Sequence, residues 1–561
     1  MTTAAVAQSP VDALADRFWE AFLELQPLWA TILGDERWND RWDDPSAAGR
    51  EKEIATIHDL MAQADGINPA DLSVDDGITL DMLRVVWKLR LSYHEHRFWE
   101  MDAVDQLGGP QTLPGELARF QRIDTPERLA ALLARLAAYP AYLQQHTVNI
   151  QEGIKSGRTA ARPVVERTIT QVQRSVDTPT EQHPLLLAHA DADPATRAAI
   201  AQAIDTDVKP AVAAFLVTLQ DYAQHARAAD GIGSLPDGAA LYQYLILAST
   251  TLDADAQELH DYGLAQIEAI DRERLAIAQQ LGFADVAAFR AHLESDPTNF
   301  AAQPGDLVEL AKRQVAKAEA LAPQYFGRLP KAACEVRAVE PHQEREAPPA
   351  FYFPPAADGS RPGIYFINTF DPSQRPLHRL ATTTYHEAVP GHHFQIAIEA
   401  ELDGLNAFRR LGSRLTGAAY PEGWGLYSER LADEMGLFED PKERFGMLDA
   451  QAWRAARLVV DTGMHAFGWD RQQSIDFLRN RAGLSPLEAE TETDRYICWP
   501  GQALAYMTGQ REIQALRKQL EARDGDRFDL QSFHDSVLGH GSLPLATLTH
   551  HLPEWVKPKD V

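Results

Sequence analysis

Cysteine is nearly absent, with Cys334 and Cys498 alone among 561 residues. Two isolated thiols exclude a disulfide framework and a thiolate metal site, and leave room for at most one bridge. Long apolar runs are missing too. No stretch of about 18 apolar residues occurs, which argues against a membrane-spanning helix. The opening Met1-Thr-Thr-Ala-Ala-Val-Ala-Gln-Ser-Pro10 has neither a basic region nor an apolar one, so no secretory signal is expected and the expected address is the cytoplasm. Positive charge is in deficit: 53 Lys and Arg against 81 Asp and Glu give a formal charge of −28. Nucleic acids and anionic membranes are therefore disfavoured as partners, because both call for a basic face. Fixed-period repeats and low-complexity linkers are lacking as well.

What is present is the composition of a folded protein, 45% hydrophobic and 24% charged. Apolar residues recur at three- and four-residue spacing over Ala13 to Gly34, Thr79 to Trp99, Pro126 to Gly153, Pro194 to Ala228, Ala254 to Gly282 and Gly305 to Leu321, which predicts helices. Thr125 before Pro126-Glu127 supplies a cap hydroxyl and a first-turn proline. Two further helices are expected from Glu422 to about Met435 and from Lys442 to Phe467. Between these sets the texture changes. Cys334 to Glu340, Ala350 to Phe353 and Gly363 to Phe370 are short β-prone runs bounded by Pro and Gly, read as a small antiparallel sheet with Gly363 to Phe370 as an edge strand. The expected fold is mainly α, with residues 1–345 a helical half and 346–561 a catalytic half of one continuous body.

The chemistry concentrates in Thr384-Tyr-His-Glu-Ala-Val-Pro-Gly-His-His-Phe-Gln395 and Pro421-Glu-Gly-Trp-Gly-Leu-Tyr-Ser-Glu429. A catalytic zinc site commonly takes two imidazoles and a carboxylate and keeps a fourth position open. His386, His392 and Glu422 can form that set, and Glu387 then stands where HExxH enzymes carry their general base. Yet His386 and His392 are six apart, so a continuous helix would point them roughly 240° from each other. Pro390 and Gly391 lie between them, and a proline followed by a glycine lets the helix bulge or break. His393 is the rival second ligand; it lies close to the direction of His386 but nearly two turns away along the axis.

His386-Glu-Ala-Val-Pro-Gly-His-His393, Glu422-Gly-Trp-Gly-Leu-Tyr-Ser-Glu429 and Pro500-Gly-Gln-Ala-Leu-Ala-Tyr-Met-Thr-Gly509 resemble the signature blocks of the DUF885 family. That family is similar to zinc peptidases of the helical gluzincin type, related in architecture to the angiotensin-converting-enzyme, thimet-oligopeptidase and thermostable-carboxypeptidase groups. The resemblance implies a groove between helical halves, a small sheet beside it and one zinc ion per chain. It also implies a third ligand at Glu422 with a second Glu seven residues on, at Glu429. A late-helix tyrosine, Tyr506 with Tyr496 as the substitute, would donate to the oxyanion of the transition state.

Other candidates rest on spacing and residue type. Asp461 and His465, four apart, can face the same way and serve beside the metal, bind substrate, or fasten helix packing. Arg495 suits a substrate carboxylate or a structural ion pair. Asn368 suits a substrate contact or a strand end. The expected activity is a zinc-dependent hydrolase cleaving short peptides, with Glu387 as base. Non-peptide amides or esters, or a non-catalytic helical binding protein that keeps its metal, are the alternatives. The expected partner is a small peptide or amide, and the sequence sets no oligomeric state.

Overall fold

The structure, a computed structural model, describes residues 8–340, 344, 347–356 and 361–559, without the side chain of Ser413. Helices dominate it. The Thr125 hydroxyl accepts from the Arg128 N–H, and the helix that follows runs Pro126–Ser156 until Gly157, at φ 75°, ends it. Ala256–Gln280, Pro304–Leu321 and Pro441–His465 also lie where the periodicity places them. Two expected helices are interrupted at prolines. The first divides into Pro10–Leu25 and Pro27–Ile32, because Pro27 has no N–H to continue the ladder. The stretch from Pro194 passes through a π turn, Ile204–Val208, just before Pro210, and resumes as Lys209–Tyr222.

The sheet differs from expectation in two respects. Its strands β1 (Cys334–Ala338), β2 (Ala350–Phe353) and β3 (Gly363–Ile367) lie in the order β1-β3-β2. β1 runs parallel to β3, with Cys334 opposite Gly363, while β2 runs antiparallel to it, so the sheet is mixed rather than antiparallel. The expected edge strand is also the middle one. Four of the five β3 residues are buried, as a strand covered on both faces requires, whereas Glu335 and Arg337 of β1 are exposed, as on an edge.

Two hydrophobic cores pack against each other, and each draws residues from both sides of position 345. One gathers Leu136, Tyr139, Phe215 and Ile267 with Leu448, Val459 and Met507. The other gathers Phe18, Trp87 and Phe326 with Tyr385, Trp424 and Leu431. Tyr506 packs against both, at their seam. Among the described residues no helix is long and apolar enough to cross a membrane. Cys334 and Cys498 are both free, so the one conceivable bridge is not formed.

Candidate metal centre

The helix Leu377–Glu387 stops just past His386, and a new helix, His392–Ala400, starts at the second histidine. Ala388 leaves the helical region at φ −102°, ψ −105°, and Gly391 turns the chain back. A Cβ on Gly391 would lie 1.8 Å from the His386 carbonyl oxygen, so only glycine fits that return. The carbonyls freed by the break are taken up by the helix Ala419–Glu434. Trp424 Nε1 donates to the Pro390 and Gly391 oxygens at 3.0 and 3.2 Å, and Ser428 Oγ to that of Pro390 at 3.3 Å. The connection is thus fastened to the helix that carries Glu422.

This break solves the six-residue spacing. The His386 and His392 rings stand with centroids 4.8 Å apart, and one donor atom from each of His386, His392 and Glu422 falls within 4.8 Å of the others. Glu422 Oε2 lies 3.4 Å from His386 Nε2 and 3.7 Å from His392 Nε2. Behind this group, His386 Nδ1 donates to Glu429 Oε1 at 2.9 Å, and Gln451 Nε2 donates to Glu429 Oε2 at 2.8 Å. The fully buried Glu429 therefore fixes the His386 tautomer and aims Nε2 at Glu422. The Nδ1 of His392 is buried without a partner, so protein contacts hold this ring less firmly.

Electrostatics fit a cation. Burial works to lower the pKa of His386, but the facing Glu422 and Glu429 carboxylates outweigh it and push the imidazole up to about 10. Burial would raise Glu422, yet the two imidazoles facing it hold it far below the usual carboxylate range. Two imidazoles and one carboxylate are a zinc-type donor set, and three protein ligands leave a position open. The residues present fit the ion.

Glu387 and Tyr506 line the same cavity of about 360 Å³, with Phe351, Tyr352, Ile396, Pro421, Arg454 and Arg457. Burial and the nearby Glu422 charge raise the Tyr506 pKa, keeping its hydroxyl protonated and able to donate. The Arg457 guanidinium carbon lies 4.4 Å from the centre of the Tyr506 ring. The helix bearing Tyr506, Ala505–Asp524, meets the Glu422 helix backbone to backbone. A Cβ on Gly509 would lie 1.9 Å from the Ala419 oxygen, and one on Gly423 would lie 2.5 Å from the Gly509 backbone.

The remaining candidates lie elsewhere. His393 turns from the ligand group to the sheet, where its Nδ1 bonds the Tyr352 hydroxyl at 2.9 Å, and burial lowers its pKa to about 4. Tyr496 is buried, donating to Glu492 at 2.6 Å and accepting from Arg457 Nε at 2.9 Å. Arg495 donates to Glu492 and Gln502. Asn368 Nδ2 donates to the oxygens of Glu344 and Ala347, and its Oδ1 accepts from the Phe370 N–H, a strand-end fastening. Asp461 accepts from the Tyr242 hydroxyl and the Gly501 N–H, while His465 is held by Ile232 N and the Tyr496 carbonyl. None of these six lines the cavity. Sequence reasoning missed Arg454, Arg457, Tyr352 and Gln451. The two arginines, three apart on a recognised helix, share a face, and that spacing was the available signal.

Fold and site together define a mainly helical protein with a small mixed sheet and a candidate two-histidine, one-carboxylate metal centre. The chain belongs to the DUF885 family, described as "Bacterial protein of unknown function", which matches residues 27–552. It is similar to a solved structure described as a "putative lipoprotein from Colwellia psychrerythraea", at 26% identity and a TM-score of 0.87, covering 98% of this chain and 100% of that one. A second, a "putative lipoprotein of unknown function from Shewanella oneidensis", shares the fold at 21% identity and a TM-score of 0.78, covering 98% and 99%. No curated protein matches.

Proposed function

We propose that this chain is a zinc-dependent hydrolase, a metallopeptidase of the helical gluzincin type acting on short peptides, with other small amides and esters as the alternative substrates. The observation that carries the reading is the convergence of His386, His392 and Glu422 within 4.8 Å, with Glu387 on the wall of the same cavity. Zinc held by these three residues would supply Lewis acidity there. Glu387 takes a proton from the attacking water and returns it to the leaving amine. Tyr506 donates its hydroxyl to the oxyanion as charge develops. Glu429 keeps the His386 Nδ1 protonated and the ring oriented.

Metal content and hydrolysis of a mixed peptide library test the reading together. About one zinc per chain is expected, with activity lost to chelator and restored by zinc. His386→Ala and Glu422→Ala should strip the metal while His393→Ala keeps it. Zinc retained by the first two would remove the ligand set. Zinc bound without hydrolysis of any amide or ester would leave a helical metal-binding protein in place of an enzyme.

A further inference from the structure

The wall facing the metal group is cationic in a chain whose net charge is −28. It is formed by the helix Pro441–His465, which places Arg454 and Arg457 on the cavity beside Tyr506. Arg457 is 4% exposed, so its charge is held out of water by design of the packing. Its Nε donates to the Tyr496 hydroxyl at 2.9 Å and its Nη2 to Glu492 Oε2 at 3.2 Å, while Nη1 is buried with no partner. Glu492 is not a private counter-ion. The same oxygen accepts from Arg495 Nη2 at 2.8 Å and from the Tyr496 hydroxyl at 2.6 Å.

Arg454 is less provided for. Its Nη1 reaches only the Ala450 oxygen of its own helix, at 3.4 Å, and its Nε is buried with no partner. Among the described residues no carboxylate is ion-paired with it. Arg457 and Arg495 thus share the one carboxylate of Glu492, and Arg454 has none. A buried guanidinium N–H without an acceptor is costly, and both Arg454 and Arg457 carry one, so an anion in the cavity beside them would lower the cost of holding these charges there. The planar fork of arginine matches a carboxylate in particular. The cavity thus carries candidate metal donors on one side and the guanidinium groups of Arg454 and Arg457 on the other, with Phe351, Ile396 and Pro421 also in its wall.

We propose that Arg454 and Arg457 bind the free carboxylate of an amide substrate, so that the site takes the carboxyl-terminal end of a short peptide or an N-acyl amino acid. This rests on reading the metal group as hydrolytic. The role that the sequence suggested for Arg495 passes to these two residues, since Arg495 is occupied by Glu492 and Gln502 and does not line the cavity.

The test uses a mixed-sequence N-acetyl tripeptide library made twice, once with free carboxylates and once amidated, plus a matched N-acyl amino acid set. Binding to the zinc-loaded chain is measured by calorimetry and cleavage by mass spectrometry. The free acids should bind about 10- to 100-fold more tightly than the amides, the range for a charge-assisted hydrogen bond. Arg454→Gln should remove about tenfold or more of that preference. Arg457→Lys, which keeps the charge but not the fork, should weaken acid binding as well. Equal affinity for acids and amides, or no binding of either, overturns the proposal on the unmodified protein, whatever the variants do. A preference that survives both substitutions overturns it too. Tight, carboxylate-dependent binding without cleavage supports this subsite and removes the hydrolase reading, whereas equal cleavage of both libraries does the reverse. Preference for tripeptide acids or for N-acyl amino acids separates the two substrate sources.

Discussion

Two groups that the sequence marks by carboxylate and imidazole side chains, Asp461 with His465 and Glu422 with His386 and His392, hold those side chains in opposite ways. At Asp461 and His465 every polar atom in view is taken: His465 Nδ1 accepts from the Ile232 N–H at 3.1 Å, its Nε2 donates to the Tyr496 oxygen at 3.0 Å, and Asp461 is held by Tyr242 and Gly501. Both side chains are wholly buried, and burial lowers the His465 pKa to about 3, so that imidazole stays neutral. At the metal group only the outer nitrogen of His386 is fastened, to Glu429. Its inner nitrogen and that of His392 face one carboxylate at 3.4 and 3.7 Å, longer than hydrogen bonds prefer. Saturation by partners within the protein marks side chains that pin helices. Convergence of donor atoms on one point is the arrangement that a metal ion would need. Residue type and i,i+4 spacing are blind to that difference.

Substitutions at the two places should therefore separate turnover from stability. Glu387→Gln is expected to keep zinc and fold while lowering kcat by about 10²- to 10⁴-fold, the span for a lost general base. Turnover at the wild-type rate in a preparation free of contaminating peptidase would take Glu387 out of the mechanism. Tyr506→Phe should reduce kcat by about 10²- to 10³-fold with KM nearly unchanged. Its counterpart Tyr496→Phe, which breaks the bonds to Glu492 and Arg457, should instead cost about 1–3 kcal/mol of stability, read from denaturant midpoints. Reversal of those two outcomes would interchange the tyrosines. Glu429→Gln should weaken zinc binding by about 10- to 100-fold, as loss of a carboxylate behind a metal-binding histidine does. Competition against a chelator measures it.

The smallest effect is a slope. Burial raises the Asp461 carboxyl to about 7 against 3.8 for an ordinary one, outweighing its bonds to Tyr242 and Gly501. Between those values the folded chain keeps a proton that the unfolded chain has released, so raising the pH favours unfolding. This group should remove up to about 1.4 kcal/mol of stability per pH unit between roughly pH 4 and 7. Asp461→Asn should flatten that part of the profile and leave zinc content at the wild-type level. An unchanged profile in the variant would mean that Asp461 stays ionised when buried.

Local chemistry was legible in the sequence. Thr125 with Pro126 marks a helix start to the residue, and His386, Glu387, His392, Glu422 and Glu429 stand out because they sit in two short blocks. Gly391 beside Pro390 marks the helix break that the six-residue spacing demands. Strand order was not legible. β1 reaches β3 across the chain that contains β2, and no periodicity encodes which of three short apolar runs ends in the middle. Nor was the cationic wall. Arg457 belongs to the cavity because a helix some 70 residues after His386 packs against the metal helix, and that packing is decided by two cores rather than by any local pattern. Tyr352 entered the site for the same reason, as a side chain of the edge strand β2.

The contact at Gly423 and Gly509 has a consequence for how this protein can vary over generations. Glycine has no smaller neighbour, so every amino-acid replacement at either position adds a Cβ to a place where backbone atoms stand 1.9 to 2.5 Å away. Glu422 precedes one of these glycines and Tyr506 comes three residues before the other, so a replacement at either pushes the Glu422 carboxylate and the tyrosine apart in a single event. Arg454 and Arg457 sit outside that contact, on a third helix. A survey of related sequences should therefore find glycine at 423 and 509 even where Arg454 and Arg457 have been exchanged.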